Sequence, residues 1–361
     1  MSTVRFAPSP TGSDIHPGNL RIAALNHLFA IKYNSKLILR IEDTLNDRVM
    51  DSSSSIIDSL PSVYKENIYY QSDNKERHVK LAESLIGKYA YIKDDAVWFK
   101  KEFIPSCFFD GVYGKIVKDP SIDKDFVIIR GNGEPSFIFA NAVDDMDMGV
   151  TDVIRGCDHL QNTLKQIGIL SVFGYSLNYY HISMIVDKNK KPLSKRDLSG
   201  SVHSILDMGI DYDALYLYLA CMGGKQYKSI EEAASNFDIH SINKSPVCFD
   251  LKALRHFNRD FLKVDIPLNI WDVIKEHCFT YKDVSSFKYL WERPLIVECN
   301  KEILKDYLIM GMEKTCLKWG KREAYEAVRL ATCGSKYSLD LDLVRQTVGE
   351  CEFYLRIKRY V

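Results

Sequence analysis

The segment Val4-Arg-Phe-Ala-Pro-Ser-Pro-Thr-Gly-Ser-Asp-Ile-His-Pro-Gly-Asn19 decides the fold of this 361-residue chain. It runs from a short apolar stretch, Val4 to Ala7, into a turn rich in proline, serine and glycine. Apolar residues then recur at helical spacing from Asn19 to Ile31, and Lys36 to Ile41 alternates like a strand. The pattern predicts the parallel strand–helix–strand unit that opens an α/β fold.

Two polar segments are expected to meet at one edge of this sheet. Ligands of open α/β sheets bind beyond the carboxyl ends of the strands. The turn after Ala7 and the residue Glu42, which follows the second predicted strand, should therefore face one crevice.

The second half of the same sheet is predicted from two later apolar runs. Phe126 to Arg130 and His181 to Val186 are rich in β-forming residues, and Leu160 to Phe173 between them has helical spacing. Between the two halves, a helical segment from Asn74 to Lys88 leads into a less regular region. We interpret that region as an inserted subdomain.

The C-terminal half is predicted to be mainly helical. Its periodic segments are Tyr212 to Met222, Ile230 to Phe237, Leu251 to Phe257, Lys301 to Met312, Lys321 to Thr332 and Leu339 to Val348.

Composition and charge indicate a multidomain globular protein. Hydrophobic residues make up 46% and charged residues 27% of a chain without low-complexity tracts or repeats, which argues against disorder and solenoids. The 48 basic and 48 acidic residues cancel, so the overall charge does not favour nucleic acid. Local basic clusters at 188–196 and 356–359 would suffice to contact phosphates.

The sequence predicts a cytoplasmic protein. Its longest stretch without acidic or basic residues, Ile167 to Val186, is interrupted by polar residues and fits a buried helix, turn and strand better than a membrane span. The N-terminus has no apolar run typical of a secretory signal. The nine cysteines form no CxxC motif, so we expect reduced thiols and neither a disulfide framework nor a structural zinc.

Two short elements carry residues suited to phosphate chemistry. Pro17 is preset for a first helical turn, Gly18 permits close approach of a ligand, and the N–H groups of a helix N-terminus bind phosphate. His16 could donate to that phosphate. In the second element, Lys191-Pro-Leu-Ser-Lys-Arg196, a flexible ammonium could neutralise departing pyrophosphate. Either element alone also fits an ordinary turn or an exposed basic loop.

Together, in this order, the two elements resemble the HIGH and KMSKS signatures of class I aminoacyl-tRNA synthetases. Further segments are similar to the glutamyl enzymes of that class. They are Arg5 to Gly12, Arg40-Ile-Glu-Asp-Thr44, Tyr70-Gln-Ser72, Val153-Ile-Arg-Gly-Cys-Asp-His-Leu160, Lys244-Ser-Pro-Val-Cys-Phe-Asp-Leu251 and Arg329-Leu-Ala-Thr-Cys-Gly334.

The resemblance implies a four-part organisation around a Rossmann-like catalytic domain. That domain would comprise residues 1–72 and 125–186, interrupted at 73–124 by a shortened subdomain that binds the tRNA acceptor end. Residues 187–262 would form the KMSKS loop and a helical domain that contacts the tRNA stem. Residues 263–361 would form a shortened helical anticodon-binding domain.

The resemblance also implies roles for individual residues. The catalytic residues would be His16, Gly18 and Lys195. ATP would be surrounded by Thr11, His16, Gly18, Asp158, Ser194 and Lys195. Glutamate would be bound by Arg5, Ser9, Glu42, Phe137, Asn141 and Arg155, with Arg5 and Arg155 on its side-chain carboxylate. A purely structural ion pair between Arg155 and Asp158 is an alternative.

The implied reaction is ligation of L-glutamate to tRNA(Glu) by a monomer that has no membrane partner. Glutamate would attack the α-phosphate of ATP, and the 2'-hydroxyl of the terminal adenosine would then attack the adenylate. Mg²⁺ would accompany ATP. Charging of the glutamine tRNA by the same enzyme stays an alternative.

The sequence departs from the family pattern at three places. Four residues, Ser13 to His16, follow Gly12 where the family usually has three. Phe137 stands where a substrate-facing tyrosine is expected, which removes a hydroxyl donor. Pro192 replaces the first lysine of the KMSKS motif, although Lys190 and Lys191 precede it and could substitute.

Two alternative functions stay open. A paralogue that glutamylates a modified base of a tRNA anticodon would share these motifs but lack an anticodon-binding domain; the segment from Arg329 to Gly334 favours the standard enzyme. The other is a degenerate relative that binds tRNA or a protein without making adenylate. Retention of the glutamate-pocket and loop residues argues against it, namely Arg5, Ser9, Glu42, Arg155 and Lys195.

Overall fold

The computed structural model describes residues 2–10, 12, 14–44, 49–193 and 200–361. It divides into two compact units. The first contains Met1–Asp207 and Tyr212–Leu251, and the second contains Met208–Asp211 and Lys252–Val361.

The first unit alternates strands and helices. Its elements are β1 (Thr3–Phe6), α1 (Pro17–Tyr33), β2 (Lys36–Ile41), α2 (Val49–Asp58), β3 (Ile68–Tyr70), α3 (Lys75–Ser84), β4 (Ala90–Lys93), β5 (Ala96–Phe99), β6 (Cys107–Asp110), β7 (Gly114–Val117), β8 (Phe126–Ile129), α4 (Phe137–Asp147), β9 (Asp152–Gly156), α5 (Leu160–Val172), β10 (Asn178–Ile182), β11 (Ile185–Val186), α6 (Val202–Leu206), α7 (Tyr212–Ala220), α8 (Ile230–Ser235) and β12 (Val247–Cys248).

A large sheet organises this unit. In the described part of the chain it has the strand order β3-β2-β1-β9-β10-β6-β7. Every neighbouring pair is parallel except β6 and β7, which form an antiparallel hairpin at one edge. The predicted strand–helix–strand opening is confirmed in β1, α1 and β2, and the predicted α/β class is confirmed with it.

The predicted second half of the sheet is wrong in one strand. Phe126–Ile129 is a strand, but it pairs antiparallel with β5 in a separate sheet of order β4-β5-β8. The position beside β1 is taken by β9, Asp152–Gly156, which periodicity did not identify. An apolar run predicts a strand but not its partner, because pairing is decided by residues far apart in sequence.

The other predicted strand divides in two. Asn178–Ile182 lies between β9 and β6 in the large sheet, whereas Ile185–Val186 pairs with β12 outside it. Strands β6 and β7 fall inside the segment 73–124 that the sequence assigns to an insertion, yet they extend the large sheet. The boundaries of the four predicted segments stay predictions.

Helix α1 is buried on most of its sides. It contacts β1 and β9 on one side and α7 and α8 on the other. Pro17 occupies its first turn, the His16 side chain accepts from the Gly18 N–H, and Asn34 ends it in a left-handed conformation. The sequence thus fixes both ends of the helix, at His16 and at Asn34.

A second hydrophobic core joins the small sheet to the helices beside the large one. Ala82 of α3, Phe99 of β5, Ile128 of β8 and Phe139 of α4 are all fully buried in it. Ile169 of α5 completes the cluster. The small sheet is thereby packed against the helix α4 that carries several polar residues predicted to bind ligand.

The second unit is helical in its described residues, as predicted for the C-terminal half. Its helices are α9 (Leu251–Asn258), α10 (Leu268–Ile274), α11 (Tyr281–Ser286), α12 (Lys301–Trp319), α13 (Lys321–Cys333), α14 (Leu341–Val348) and α15 (Glu350–Lys358). Its own core includes Leu304, Val328, Val344 and Ile357, all fully buried.

A buried arginine ties the last helix to this core. Arg356 of α15 donates to the Tyr289 carbonyl and, over 2.9 Å, to the Thr332 carbonyl. Its Nε donates to Glu352 over 2.9 Å. The guanidinium group therefore satisfies backbone oxygens of two other segments.

No helix in the described residues combines the length and apolar character needed to span a bilayer. All nine cysteines are free thiols, and Cys221, Cys278 and Cys333 are buried.

Gly168→Ala is expected to destabilise the first unit by about 1–3 kcal/mol. Alanine normally stabilises a helix interior relative to glycine. At position 168 of α5, however, the added Cβ would lie 2.8 Å from the Phe103 carbonyl oxygen and 3.3 Å from the Ile104 Cα. Urea-induced unfolding of the two proteins measures the difference.

Ser171→Ala on the same helix is the control, because Ser171 is exposed. It should leave the urea midpoint unchanged or raise it slightly. If Gly168→Ala also raised the midpoint, the close packing of α5 against the segment at Phe103 would be wrong.

Candidate active site

A cavity of about 450 Å³ lies beyond the carboxyl ends of β1, β2, β9 and β10. It brings together nine of the predicted site residues: Arg5, Ser9, His16, Gly18, Glu42, Phe137, Asn141, Arg155 and Asp158. The predicted residues Thr11, Ser194 and Lys195 lie outside the described part of the chain. Pro192 and Leu193 complete one wall.

A shared carboxylate organises the buried charges of this cavity. Asp145 on α4 accepts from Arg5 Nε over 3.0 Å and from Arg40 Nη1 over 2.6 Å. All three side chains are almost completely buried. Burial opposes ionisation of Asp145, but the two guanidinium groups prevail and lower its pKa below the ordinary value.

Glu42 is the second carboxylate of the cavity. Its Oε1 lies 3.4 Å from Arg40 Nη2, and its Oε2 accepts from the Ser9 hydroxyl over 3.4 Å. Burial raises the pKa of Glu42, although Arg40 and Arg5 oppose that shift. Arg40 also donates to the Asn141 side-chain oxygen over 2.7 Å, which fixes the orientation of that amide.

Arg155 is held by uncharged groups. Its Nε donates to His181 Nε2 over 3.2 Å, its Nη2 donates to the Thr163 hydroxyl over 2.8 Å, and its guanidinium lies 5.3 Å from the Tyr179 ring centre. Among the described residues it contacts no carboxylate. Burial lowers the pKa of Arg155 to about 10, and the charge of Arg5 adds to this effect.

The cavity therefore carries an excess of positive charge. Its lining contains the guanidinium groups of Arg5, Arg21 and Arg155 and the carboxylates of Glu42 and Asp158, three cations against two anions, while Arg40 and Asp145 form an ion pair beside Arg5. A buried charge is stabilised when an opposite charge accompanies it. An anionic ligand next to Arg155 would supply that charge.

The ion pair between Arg155 and Asp158, considered as an alternative, does not form. Asp158 instead lies 3.6 Å from His159 Nε2 and is largely exposed. Its carboxylate is therefore available to a ligand at the mouth of the cavity.

The N-terminus of α1 forms another wall. Gly18 and Asn19 line the cavity there, and the Gly18 N–H donates to His16 Nδ1 over 3.0 Å. That bond assigns the imidazole proton to Nε2, which lies 3.1 Å from the Leu193 carbonyl. A Cβ at position 18 would lie 3.0 Å from His16 Nδ1, so a larger residue there would require the imidazole to shift.

The additional residue in the loop before α1 is accommodated by a set of hydrogen bonds. Asp14 accepts from the Ser201 hydroxyl, from the His203 N–H over 3.1 Å and from His203 Nδ1 over 2.9 Å. The Val202 N–H donates to the Ile15 carbonyl over 3.2 Å. His16 reaches the cavity despite the longer loop.

Phe137 contacts an aromatic neighbour. It lies in the first turn of α4, and its ring stacks on His159 with centroids 5.5 Å apart and an angle of 24°. Burial lowers the pKa of His159, and the positive charge of Arg155 contributes. A neutral imidazole therefore covers the face of the ring that replaces the expected tyrosine.

The two residues after Glu42 form hydrogen bonds to the segment Gln71–Ser72. Asp43 accepts from the Ser72 N–H over 2.8 Å and from the Ser72 hydroxyl over 2.6 Å. The Thr44 hydroxyl lies 3.2 Å from the Gln71 side-chain oxygen. Glu42 is thereby fixed at the end of β2 while its two successors fasten the neighbouring segment.

Sequence reasoning did not assign roles to Asp145, Thr163, His181 or Tyr179. One signal was present for Asp145, since Asp144-Asp145 follows the largely apolar first turns of a helix beginning at Phe137. His181 similarly lies next to two tyrosines in the strand Asn178–Ile182 and is fully buried. The contacts themselves depend on the order of strands, which the sequence did not predict correctly.

This arrangement can be compared with known proteins. The family described as tRNA synthetases class I (E and Q), catalytic domain, matches residues 2–97 and 96–263. The chain belongs to this family. The predicted membership of the class I aminoacyl-tRNA synthetases is confirmed, and this synthetase is an enzyme.

Relatives of this synthetase include glutamate–tRNA ligases of several bacteria. Glutamate–tRNA ligase 1 of Campylobacter fetus subsp. fetus is 35% identical over 308 residues, covering 72% of each chain. Glutamate–tRNA ligase 2 of Helicobacter hepaticus is 34% identical over 306 residues, covering 72% of this chain and 69% of the relative. Predicted membership of the glutamyl group is confirmed by these matches.

The fold resembles a solved structure over nearly the whole chain. A glutamate tRNA ligase from Elizabethkingia meningosepticum, crystallised in complex with its amino acid, superimposes with a TM-score of 0.78. The two chains are 20% identical, and 99% of each is covered. The fold of the synthetase is therefore that of a known structure.

In the described ranges, no group of three or more His, Cys, Asp or Glu side chains is arranged to hold a metal ion.

Asp145→Asn is expected to lower the free energy of unfolding by about 3–5 kcal/mol at neutral pH, because Arg5 and Arg40 would be left without their shared buried carboxylate. The lowered pKa of Asp145 means that its stabilising effect is present above its ordinary value of 3.8 and is lost as the pH falls below it. Urea unfolding at neutral and acidic pH should show the difference from wild type shrinking in acid.

Asp147→Asn is the matched control on the same helix. Asp147 is partly exposed and pairs with Arg77 at 3.2 Å on the surface. Loss of this ion pair should lower the free energy of unfolding by less than about 1 kcal/mol. Equal destabilisation by the two variants would contradict the special position of Asp145.

Proposed function

We propose that this synthetase activates L-glutamate with ATP as glutamyl-adenylate and transfers the glutamyl group to the 2'-hydroxyl of the terminal adenosine of tRNA(Glu). The observation that carries the proposal is Arg155, a buried guanidinium without a carboxylate partner among the described residues. It lines the same cavity as the N-terminus of α1. One cavity thus offers a site for a carboxylate and a site for phosphate.

The side-chain carboxylate of glutamate would lie between Arg155 and Arg5. Arg5 is already paired with Asp145, so Arg155 contributes the unmatched charge. Bidentate guanidinium contacts suit a planar carboxylate. Glu42, with Ser9 beside it, would accept the α-ammonium group at the other end of the substrate.

This charge arrangement supports glutamate over glutamine. A neutral amide would occupy the same volume but leave Arg155 buried without an anion. Sites built around a buried polar group reject ligands that leave that group unsatisfied. Phe137 supplies ring surface but no hydroxyl donor to the same substrate.

ATP would place its phosphates at the first turn of α1. The helix N-terminus supplies N–H groups and a partial positive charge. For His16 to contact a phosphate, its Nε2–H would exchange the Leu193 carbonyl for the phosphate oxygen. Asp158, Thr11, Ser194 and Lys195 complete the proposed ATP site by resemblance to the family.

The chemistry needs no side-chain nucleophile. An oxygen of the glutamate α-carboxylate forms a bond to the α-phosphorus of ATP, and the bond to pyrophosphate breaks. The ribose 2'-hydroxyl then attacks the adenylate carbonyl carbon, loses its proton and displaces AMP. Positioning and electrostatic stabilisation supply most of the acceleration in such transfers. Mg²⁺ bound to ATP would neutralise charge on the phosphates.

The two competing functions are less well supported. A protein that only binds tRNA has no need for a buried, unmatched guanidinium beside a helix N-terminus. A paralogue acting on an anticodon base would lack the helical region that this chain carries in its second unit. That unit supports ligation at the end of tRNA.

Arg155→Gln should raise the KM for glutamate at least about 30-fold in pyrophosphate exchange, because losing one partner of a buried charged contact costs 2 kcal/mol or more. The KM for ATP should stay unchanged. Arg77→Gln, which removes an exposed guanidinium, is the control and should change neither value. An unaltered glutamate KM in Arg155→Gln would reject the proposed substrate site.

The site of transfer is tested with tRNA whose terminal adenosine lacks one hydroxyl. With labelled glutamate, tRNA ending in 3'-deoxyadenosine should be charged and tRNA ending in 2'-deoxyadenosine should not. Charging of the tRNA that ends in 2'-deoxyadenosine would contradict transfer to the 2'-hydroxyl. Glutamine and aspartate serve as substrate controls.

A further inference from the structure

Asp110, His181 and Arg155 form a line across three neighbouring strands. Arg155 on β9 is the direct register partner of His181 on β10. Asp110 ends β6, the next strand of the sheet, and pairs with Tyr179. His181 Nδ1 lies 2.6 Å from Asp110 Oδ2, and Arg155 Nε donates to His181 Nε2 over 3.2 Å.

The donors and acceptors of this line fix the tautomer of His181. A guanidinium group can only donate, so the Nε2 that faces Arg155 must carry a lone pair. The proton is then on Nδ1 and is donated to Asp110. Burial lowers the pKa of His181, and the nearby Arg155 charge also favours the neutral ring.

The Asp110 carboxylate is itself held rigidly. It accepts from the Val112 N–H over 2.9 Å, from the Tyr113 N–H over 2.8 Å and from the His181 N–H over 3.2 Å. Both Asp110 and the His181 ring are fully buried. The imidazole is therefore fixed in position, and the hydrogen bond at its Nε2 orients the Arg155 guanidinium group.

We propose that Asp110 and His181 are positioning residues that aim Arg155 at the substrate carboxylate without neutralising it, an inference that rests on the proposed use of glutamate. A carboxylate in place of His181 would hold Arg155 equally well but would cancel its charge. A neutral imidazole supplies the hydrogen bond and leaves the charge for the ligand. The charge of Arg5, in contrast, is already paired with the carboxylate of Asp145.

The first test separates the KM for glutamate from that for ATP in pyrophosphate exchange. His181→Leu removes the acceptor and should raise the glutamate KM about 10- to 100-fold, the range for losing a hydrogen bond to a charged group. The ATP KM should stay unchanged. His181→Gln can accept from Arg155 and donate to Asp110, so it should restore most of the glutamate affinity.

His78→Gln is the matched control. His78 Nε2 lies 2.6 Å from Asp144 in an equally buried pair, but neither residue contacts Arg155. The variant should lower the unfolding midpoint and leave the glutamate KM unchanged. An equal rise in glutamate KM in His78→Gln and His181→Leu, or no rise in His181→Leu, would overturn the positioning role.

The second test does not depend on activity. In ¹⁵N-histidine-labelled protein, the resonances that disappear in His181→Gln identify His181 and should show a proton on Nδ1 and none on Nε2 at neutral pH. A proton on Nε2 would overturn the proposal, because that nitrogen could then not accept from Arg155. If the wild type carries the expected tautomer but activates no glutamate, the proposed substrate is rejected. The positioning of Arg155 by Asp110 and His181 would still be supported.

Discussion

The ion pair that Asp145 makes with Arg5 and Arg40 holds the candidate site together. Arg5 comes from β1, Arg40 from β2 and Asp145 from α4, so one carboxylate joins the start of the fold to a helix more than a hundred residues later. All three groups are shielded from water, and removal of Asp145 would take away the carboxylate that the two buried guanidinium groups share. The walls of the cavity depend on this contact because Asn141 and Glu42 are oriented by the same Arg40.

The site fastens its arginines in two different ways. Arg5 and Arg40 are held by carboxylates, which fix their positions and cancel their charges. Arg155 is held by an imidazole, a hydroxyl and an aromatic ring, which fix its position but leave its charge. The ion pairs of Arg5 and Arg40 stabilise the fold around the cavity. The uncharged contacts of Arg155 leave a positive potential that attracts an anionic ligand.

Local sequence predicted much of this molecule, and the errors have a common cause. The turn after β1, the start of α1 and the position of Glu42 followed from periodicity, proline and glycine. The strand at Phe126 was recognised but assigned to the wrong sheet, because partner choice depends on distant residues. Asp145 and His181 acquire their roles through contacts across strands and helices, which no local pattern contains.

The longer loop before α1 has a consequence for protein engineering. That loop is bonded to both sides of the segment 194–199, since His16 reaches the Leu193 carbonyl and Asp14 binds Ser201 and His203. The loop before α1 and the segment Ser201–His203 are therefore coupled through hydrogen bonds. A change in the length of the loop would displace Asp14 and leave the Ser201 and His203 donors without that acceptor.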